Sequence, residues 1–427
     1  MFKSLSALFT VQEIKNRLLF TLGVLFVFRL LAHIPVPGID TTSLQQFFAK
    51  FAILGFLDIF SGGGFQNFSI ITLGLGPYIN ASIIMQLLAM AIPKLEELQK
   101  EGEYGRERIN LYTKFLTIPL AIIQAFGTYF LLSKQGIISS LSMPQIITLI
   151  ITLLAGTLLV MWIGEILTEY GLGNGVSVLI FAGIISQMPT ATFQMFEISR
   201  TSSNYFPLIV MGVISILSIA GIVMVNEAVR KIPIEYARRA TGTISYGGGI
   251  SYLPMKLNQA GVIPIIFAVS LVFLPSVLGT YLSSSSNSSL VNFGSFLTRN
   301  FNSQSWTYVI LYFVLVMGFT FFYTALQFNP EKIAENLKQS GAFIPGIRPG
   351  KSTADYLYTI LTRITFFGAI FLGFIAVLPT VLPMVTSLNS SFAIGGAGLL
   401  IVVSVVLDTI RQVDSLIVTR NYDSFLK

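Results

Sequence analysis

The chain is a succession of long apolar runs set apart by short polar ones, and run length is what first separates its elements. About 20 apolar residues are needed for a helix to cross the hydrocarbon of a bilayer. Windows of that length fall at residues 18–34, 69–92, 115–133, 145–167, 174–190, 207–228, 259–282, 306–326, 356–382 and 393–410. A backbone in lipid must satisfy its hydrogen bonds within its own segment, so ten such windows predict an all-α membrane protein with ten transmembrane helices. Between the first two, Phe51 to Phe60 is apolar but too short to cross, and Ser61-Gly62-Gly63-Gly64 follows it. That pattern predicts a short re-entrant helix with a glycine hinge, held in a cavity and not against lipid. No strand precedes these glycines and no Lys follows them, which argues against a phosphate cradle.

The second window is not a plain lipid anchor. Gly74, Gly76 and Pro77 interrupt its first third, and Asn80, Ser82 and Gln86 are spaced through the rest. Its backbone must be broken or closely packed, and one face must meet water or protein. Ile79 and Ile83 lie four apart and share a face, as do Ile180 and Ile184 in the fifth window. Taken singly, an Ile in a membrane helix faces lipid or a neighbouring helix; paired beside polar neighbours, branched apolar side chains can constrict a water path.

Composition agrees with this reading: 53% of the residues are hydrophobic and 11% charged, which excludes a set of water-soluble cores. The net charge of +7 matters through its distribution. Of the 26 Lys and Arg residues, 21 fall on one side when successive loops are assigned to alternate faces. The positive-inside rule then places both termini in the cytosol, in keeping with an even number of crossings. The first span runs into His33, Pro35, Pro37 and Gly38 with no small-residue cleavage site, so it is expected to stay as an anchor.

Chemistry-bearing residues are sparse. There is no cysteine, which excludes disulfides and thiolate sites. The only histidine, His33, beside a Pro-x-Pro turn, reads as an interfacial side chain. Arg29 lies inside the first span and is expected near the outer interface or against protein. Glu165 and Glu169, a helical turn apart, read as a hydrated helix end and not as an acid/base pair. Asp408 and Arg411 are spaced to pair locally. Val11, Ile14 and Leu18 alternate with charges, as in a helix lying on the inner membrane surface. Lys94 to Arg108 reads as a solvated cytosolic loop, and the Ser- and Asn-rich residues 281–304 as an exposed outer loop. Pro264 is expected to interrupt the seventh span. No cofactor or metal site is expected.

Two cytosolic segments are long enough to project. Residues 229–256 carry Arg230, Lys231, Arg238 and Arg239, a basic surface suited to anionic lipid or an acidic partner, with a hairpin-like glycine tip at 247–249. Residues 327–355 carry GAFIPGIRPGKST, whose Gly350-Lys351-Ser352 ends like a nucleotide loop but has Pro345 where the first glycine is required.

These motifs also carry a resemblance. Residues 69–88, SIITLGLGPYINASIIMQLL, resemble the signature of the SecY family, central subunits of bacterial protein-conducting channels; RKIPIEYARR, AGVIPIIF and PGIRPG are similar to three further family motifs. The resemblance covers essentially the whole chain. It implies two pseudo-symmetric, inverted five-helix halves, residues 1–200 and 201–427, with a re-entrant plug half-helix at about 57–68 formed by Leu57, Asp58, Ile59, Phe60, Ser61, Gly62, Gly63, Gly64, Phe65, Gln66, Asn67 and Phe68. It implies a pore ring of Ile79, Ile83, Ile180, Ile184, Ile266 and Ile401, with spans two and seven parting as a lateral gate. Arg230, Lys231, Arg238, Arg239, Arg348 and Lys351 are implied as docking residues for the SecA motor ATPase or the ribosome. Small SecE and SecG membrane subunits, membrane lipids and unfolded secretory and membrane-protein substrates complete the implied partners, in the bacterial cytoplasmic membrane.

Three functions are open to such a chain. A protein-conducting channel needs an apolar constriction and outside energy. A secondary transporter also tolerates a broken span, but usually carries an ionisable residue near mid-membrane, and apart from Arg29 the spans hold almost none. An intramembrane enzyme requires paired Asp, Ser with His, or a His–Glu metal motif, which the spans lack.

Overall fold

A computed structural model describes residues 11–36, 61–65, 67–134, 141–201, 203, 205–236, 239–241, 244–246, 250–283, 287–302, 305–386 and 396–425. A helix occupies each of the ten apolar windows. They are α1 (Gln12–Leu31), α2 (Gly76–Ala91), α4 (Glu103–Lys134), α5 (Met143–Tyr170), α6 (Gly175–Thr201), α7 (Phe206–Glu227), α8 (Ile263–Ser283), α10 (Trp306–Gln327), α12 (Lys351–Thr386) and α13 (Gly396–Phe425). Among the described residues three shorter helices intervene: α3 (Pro93–Lys100), α9 (Ser288–Asn300) and α11 (Pro330–Gln339). Among the described residues six helices are long and apolar enough to cross a bilayer, or seven if α2 and α3, bent by 107°, act as one.

Contacts divide the chain into two compact units, Met1–Tyr205 with Asn389–Ile394 and Val405–Lys427, and Phe206–Leu388 with Gly395–Ser404. In the first unit α2 packs on α4, α4 on α5, and α5 on α6 and α1. Val36, Phe65, Phe68, Ala125, Leu132, Leu149 and Leu153 form one buried cluster of this unit. The second window departs from a single helix: residues 69–75 are successive turns, with Thr72 N–H donating to Ser69 O, Gly74 to Ile71 O and Gly76 to Leu73 O. Gly74 takes a left-handed φ of +50°. This non-helical backbone is covered by protein, with Ser69, Ile71, Thr72 and Leu75 all buried. α5 presses on it so closely that a Cβ on Gly156 would stand 1.9 Å from Ile70 O.

Two expectations about the surface are corrected. The apolar face of the N-terminal segment does not simply lie on a membrane: Ile14 is buried with Leu172 and Val413, and Val11, Leu18, Leu416 and Ile417 pack around them. That face finds protein because the turn before α6 reaches it. Thr21 Oγ1 accepts from Leu172 N–H at 3.1 Å, and the Gly173 N–H donates to Gln412 Oε1. Residues 94–108 are also helical, as α3 and the start of α4, and not a loop. Pro93 starts α3 in its first turn, where the lost N–H has no helical partner anyway.

In the second unit α10 packs on α12 and α8, and α11 on α12. Strands β1 (Val229–Tyr236), β4 (Ile250–Lys256) and β5 (Ala342–Phe343) form an antiparallel sheet in the order β4-β1-β5, while β2 (Arg239–Thr241) pairs with β3 (Ile244–Tyr246). The β1–β4 register runs from Val229 opposite Lys256 to Glu235 opposite Ile250, and β5 adds Phe343 opposite Glu235. One sheet face closes a small core of Ile232, Met255, Ile344, Leu357, Ile360 and Leu361, so the two projecting segments share one module at the base of α12. The glycine tip at 247–249 lies outside the described residues.

Two further expectations change. Residues 288–300, expected as loop, form α9: Asn287 caps it by accepting from Ser289 N–H, and Gly294 meets Gly279 and Ser283 of α8, leaving no room for a Cβ. Polar residues there act as caps, and the glycine pair permits close helix approach. Pro264 does not interrupt a helix, because α8 begins at Ile263 and a proline in the first turn needs no N–H.

Candidate functional site

α2 begins with Pro77 in its first turn and has Ile79 and Ile83 one turn apart, both half-buried. α6 has Ile180 and Ile184 one turn apart, both buried. Ile266 is buried near the start of α8 and Ile401 near the start of α13. All six candidate constriction residues thus sit in the first half of an apolar helix, and α2 and α8 hold no ionisable side chain except tyrosine.

Polar side chains next to these helices pair with one another. Lys114 Nζ lies 2.5 Å from Glu165 Oε1, joining α4 to α5, and Tyr78 OH donates to Asn110 Oδ1 at 3.3 Å, joining α2 to α4. Glu165 is therefore an ion-pair partner and not only a hydrated helix end. In the second unit Asn258, buried before α8, donates to Asn226 Oδ1 at 2.9 Å, and Asn226 donates to Ser404 Oγ at 2.9 Å. Asn258 Oδ1 also accepts the Gly261 N–H at 3.0 Å, at a left-handed glycine of φ +64°. Such a network fixes where α8 starts and hence the height of Ile266. Asp408 and Arg411 pair as their spacing predicts, at 3.2 Å.

Of the residues expected to form a plug, Leu57, Asp58, Ile59, Phe60 and Gln66 lie outside the described residues. Ser61 is helical, and Gly62, Gly63, Gly64, Phe65, Asn67 and Phe68 form turns beside the end of α1. Arg29 in the last turn of α1 donates from Nη1 to Gly62 O at 2.6 Å. The Phe28 ring fills the space a Cβ on Gly62 would need, 2.9 Å from Cε1 and Cζ. Gly62 and Gly63 take φ of +66° and +86°, the left-handed region that favours glycine. Downstream, Val36 N–H donates to Phe68 O at 2.9 Å and Ile70 N–H to Ile34 O at 3.1 Å, across an antiparallel bridge of Pro35 and Ser69. Phe68 is wholly buried at φ +43°, a conformation rare for a bulky residue. His33 is exposed, its Nδ1 2.9 Å from Arg29 O.

The basic candidates fall in the sheet module. Arg230 and Lys231 are exposed on β1, Arg239 opens β2, and Arg238 lies outside the described residues. Arg348 is exposed in the turn between Gly346 and Gly350, both with positive φ, and its carbonyl accepts from Thr353 Oγ1 at 2.9 Å. Lys351 is exposed at the start of α12. The sequence did not reveal the Lys114–Glu165, Asn226–Asn258 or Arg29–Gly62 pairings; the one available signal was a charged Arg29 in an apolar span, which needs an acceptor. Among the described residues no group of three or more His, Asp or Glu side chains comes together that could hold a metal ion.

The family model described as SecY matches residues 69–410. The protein translocase subunit SecY of Streptomyces scabiei is 38% identical over 434 residues, covering 98% of each chain. A solved protein-conducting channel superposes with a TM-score of 0.62 at 21% identity, over 93% of this chain and 91% of the other. Sec61 from a canine ribosome-channel complex of the endoplasmic reticulum superposes at 0.58 and 20% identity, with the same coverage.

Proposed function

The chain belongs to the SecY family, and on that premise we propose that it is the central subunit of a protein-conducting channel, a protein translocase that passes unfolded secretory proteins across a membrane and releases apolar segments sideways into lipid. The observation that carries the mechanism is the chemistry of the candidate constriction. Six isoleucines occupy helices whose neighbouring turns hold no charge. An apolar constriction makes no fixed hydrogen bonds to a passing chain, so it does not select among sequences, and when narrow it dewets and resists ion leak. A transporter would need an ionisable coupling group at that depth; Lys114 and Glu165, on two packed helices, are used on each other.

The finer features follow the same reading. Ile79, Ile83, Ile180, Ile184, Ile266 and Ile401 act as the ring, and residues 57–68 act as the plug. The halves are residues 1–200 and 201–427, inverted repeats of five spans each. Arg230, Lys231, Arg238, Arg239, Arg348 and Lys351 meet cytosolic partners, the ribosome and the SecA motor, a reading supported by the exposure of Arg230, Lys231, Arg348 and Lys351, whose charge suits anionic surfaces. SecE and SecG are the small membrane partners, and the complex sits in the bacterial cytoplasmic membrane with both termini cytosolic. That orientation is supported by the one-sided distribution of Lys and Arg.

The test uses the absence of native cysteine. A single Cys at Ile79 or Ile401, in the complete complex reconstituted with its motor, should crosslink to a stalled secretory precursor. A Cys on the lipid-exposed face of α7, at Ile216, should not. Equal crosslinking at all three positions overturns the ring, and solute accumulation without precursor export overturns the channel.

A further inference from the structure

The helix α9 presents three different faces. Toward α8 it turns Gly294, Leu297 and Thr298: a Cβ on Gly279 would stand 2.8 Å from Leu297 Cβ and 3.0 Å from Thr298 Cγ2, and a Cβ on Gly294 would stand 2.7 Å from Gly279 O. A second face carries Leu290, Phe293 and Phe296 at spacings of three, which places them within an arc of about 120°. All three are exposed, the two rings by 54% and 57%. The opposite side carries Asn292, Ser295 and Arg299, also exposed, and Arg299 is the one charge on the helix.

The place of α9 in the fold says what meets its apolar face. Its contacts at Gly279 and Ser283 lie in the final turns of α8, and the chain passes from α9 into the start of α10, so α9 sits at one end of two apolar helices. α10 is long and apolar enough to cross a bilayer. Its Trp306, Ile310 and Val314, four apart on one face, are exposed, which is the stripe a spanning helix turns to hydrocarbon. Trp306 at its head stands where the aromatic belt of a membrane interface lies.

We propose that α9 is an interfacial helix whose partner is the lipid surface itself. Leu290, Phe293 and Phe296 enter the boundary of the acyl chains, continuing the lipid-facing stripe of α10, while Asn292, Ser295 and Arg299 stay among headgroups and water, the guanidinium beside lipid phosphate. With the orientation proposed above, this is the outer leaflet. Because α9 meets α8 glycine against glycine, the anchor also sets the depth of α8, the helix that carries Ile266.

The chain has no cysteine, so single-site probes report the position of each face. The full complex, with its small subunits, is placed in nanodiscs of phosphatidylethanolamine and phosphatidylglycerol, and an environment-sensitive fluorophore is attached to Phe293→Cys, to Asn292→Cys and, as a calibration for lipid, to Ile310→Cys. A nitroxide near the carboxyl end of the lipid acyl chain should quench the probe at 293 at least threefold more than the probe at 292, and aqueous iodide should show the reverse order. Equal quenching of the two sites by either agent places both faces in water and overturns the proposal. Shielding at 293 from nitroxide and iodide alike overturns it too, since a partner subunit or another segment of this chain would then cover the face. If Phe293→Cys does not accumulate, Phe296→Cys is read by the same criteria. None of these readouts depends on precursor export, so they stand or fall apart from the channel function.

Discussion

The amide of Asn258 donates to Oδ1 of Asn226 at 2.9 Å, tying the segment before α8 to the end of α7. Asn258 is buried and also caps the left-handed Gly261. Asn258→Leu keeps the branched side-chain skeleton but breaks three hydrogen bonds in a buried place, and should cost about 1–3 kcal/mol of stability. Thermal unfolding of the detergent-solubilised complex checks this. A melting temperature equal to the parent's would show that the network does not hold α8.

Gly156 and Gly127 make a matched pair for testing helix contact. A Cβ on Gly156 would stand 1.9 Å from Ile70 O, whereas a Cβ on Gly127 meets nothing within 4 Å. Gly156→Ala forces backbone from backbone and should destabilise by roughly 1–3 kcal/mol or more. Gly127→Ala should be neutral or stabilise by up to about 1 kcal/mol through helix propensity. Accumulation in membranes and melting of both variants, compared side by side, test whether the 69–75 turns are clamped by α5.

The Lys114–Glu165 pair is partly exposed, with 34% and 38% of its side chains accessible, so its coupling should be modest. A double-mutant cycle with Lys114→Met and Glu165→Gln should give about 0.5–1 kcal/mol, the double variant being more stable than the sum of the singles. Strict additivity would make the contact incidental.

Arg348 is exposed, and the bond its turn makes to Thr353 Oγ1 runs through its backbone carbonyl. Arg348→Glu should leave melting unchanged and weaken binding of a cytosolic partner at least tenfold at low salt, the difference shrinking as ionic strength rises. Binding of purified motor or ribosomes to reconstituted vesicles at two salt concentrations measures it. Unaltered affinity at both removes Arg348 from the docking surface.

Much of the membrane architecture is legible in the order of residues alone. Leu153, Val160 and Leu167 mark the buried face of α5 at helical spacing, and the run around them is long enough to cross. The β4-β1-β5 sheet is only half legible: Ile232 and Ile234 alternate as a strand should, but nothing in the sequence says that β1 takes β5, over 100 residues later, as its second neighbour. The helix α9 escapes a sequence reading because its Ser and Asn residues suit a loop, while the Gly279–Gly294 contact that packs it is visible only in space.

The sequence by itself determined which apolar runs carry the long helices and the family to which their motifs point, because hydrocarbon leaves a backbone no partner but its own next turn, and run length and apolarity then decide. Tertiary structure decided which side chains meet: Arg29 with Gly62, Lys114 with Glu165, Asn226 with Asn258. Those pairings join residues 32 to 51 positions apart, and the partner each polar group finds depends on how neighbouring helices are packed, which local periodicity does not encode.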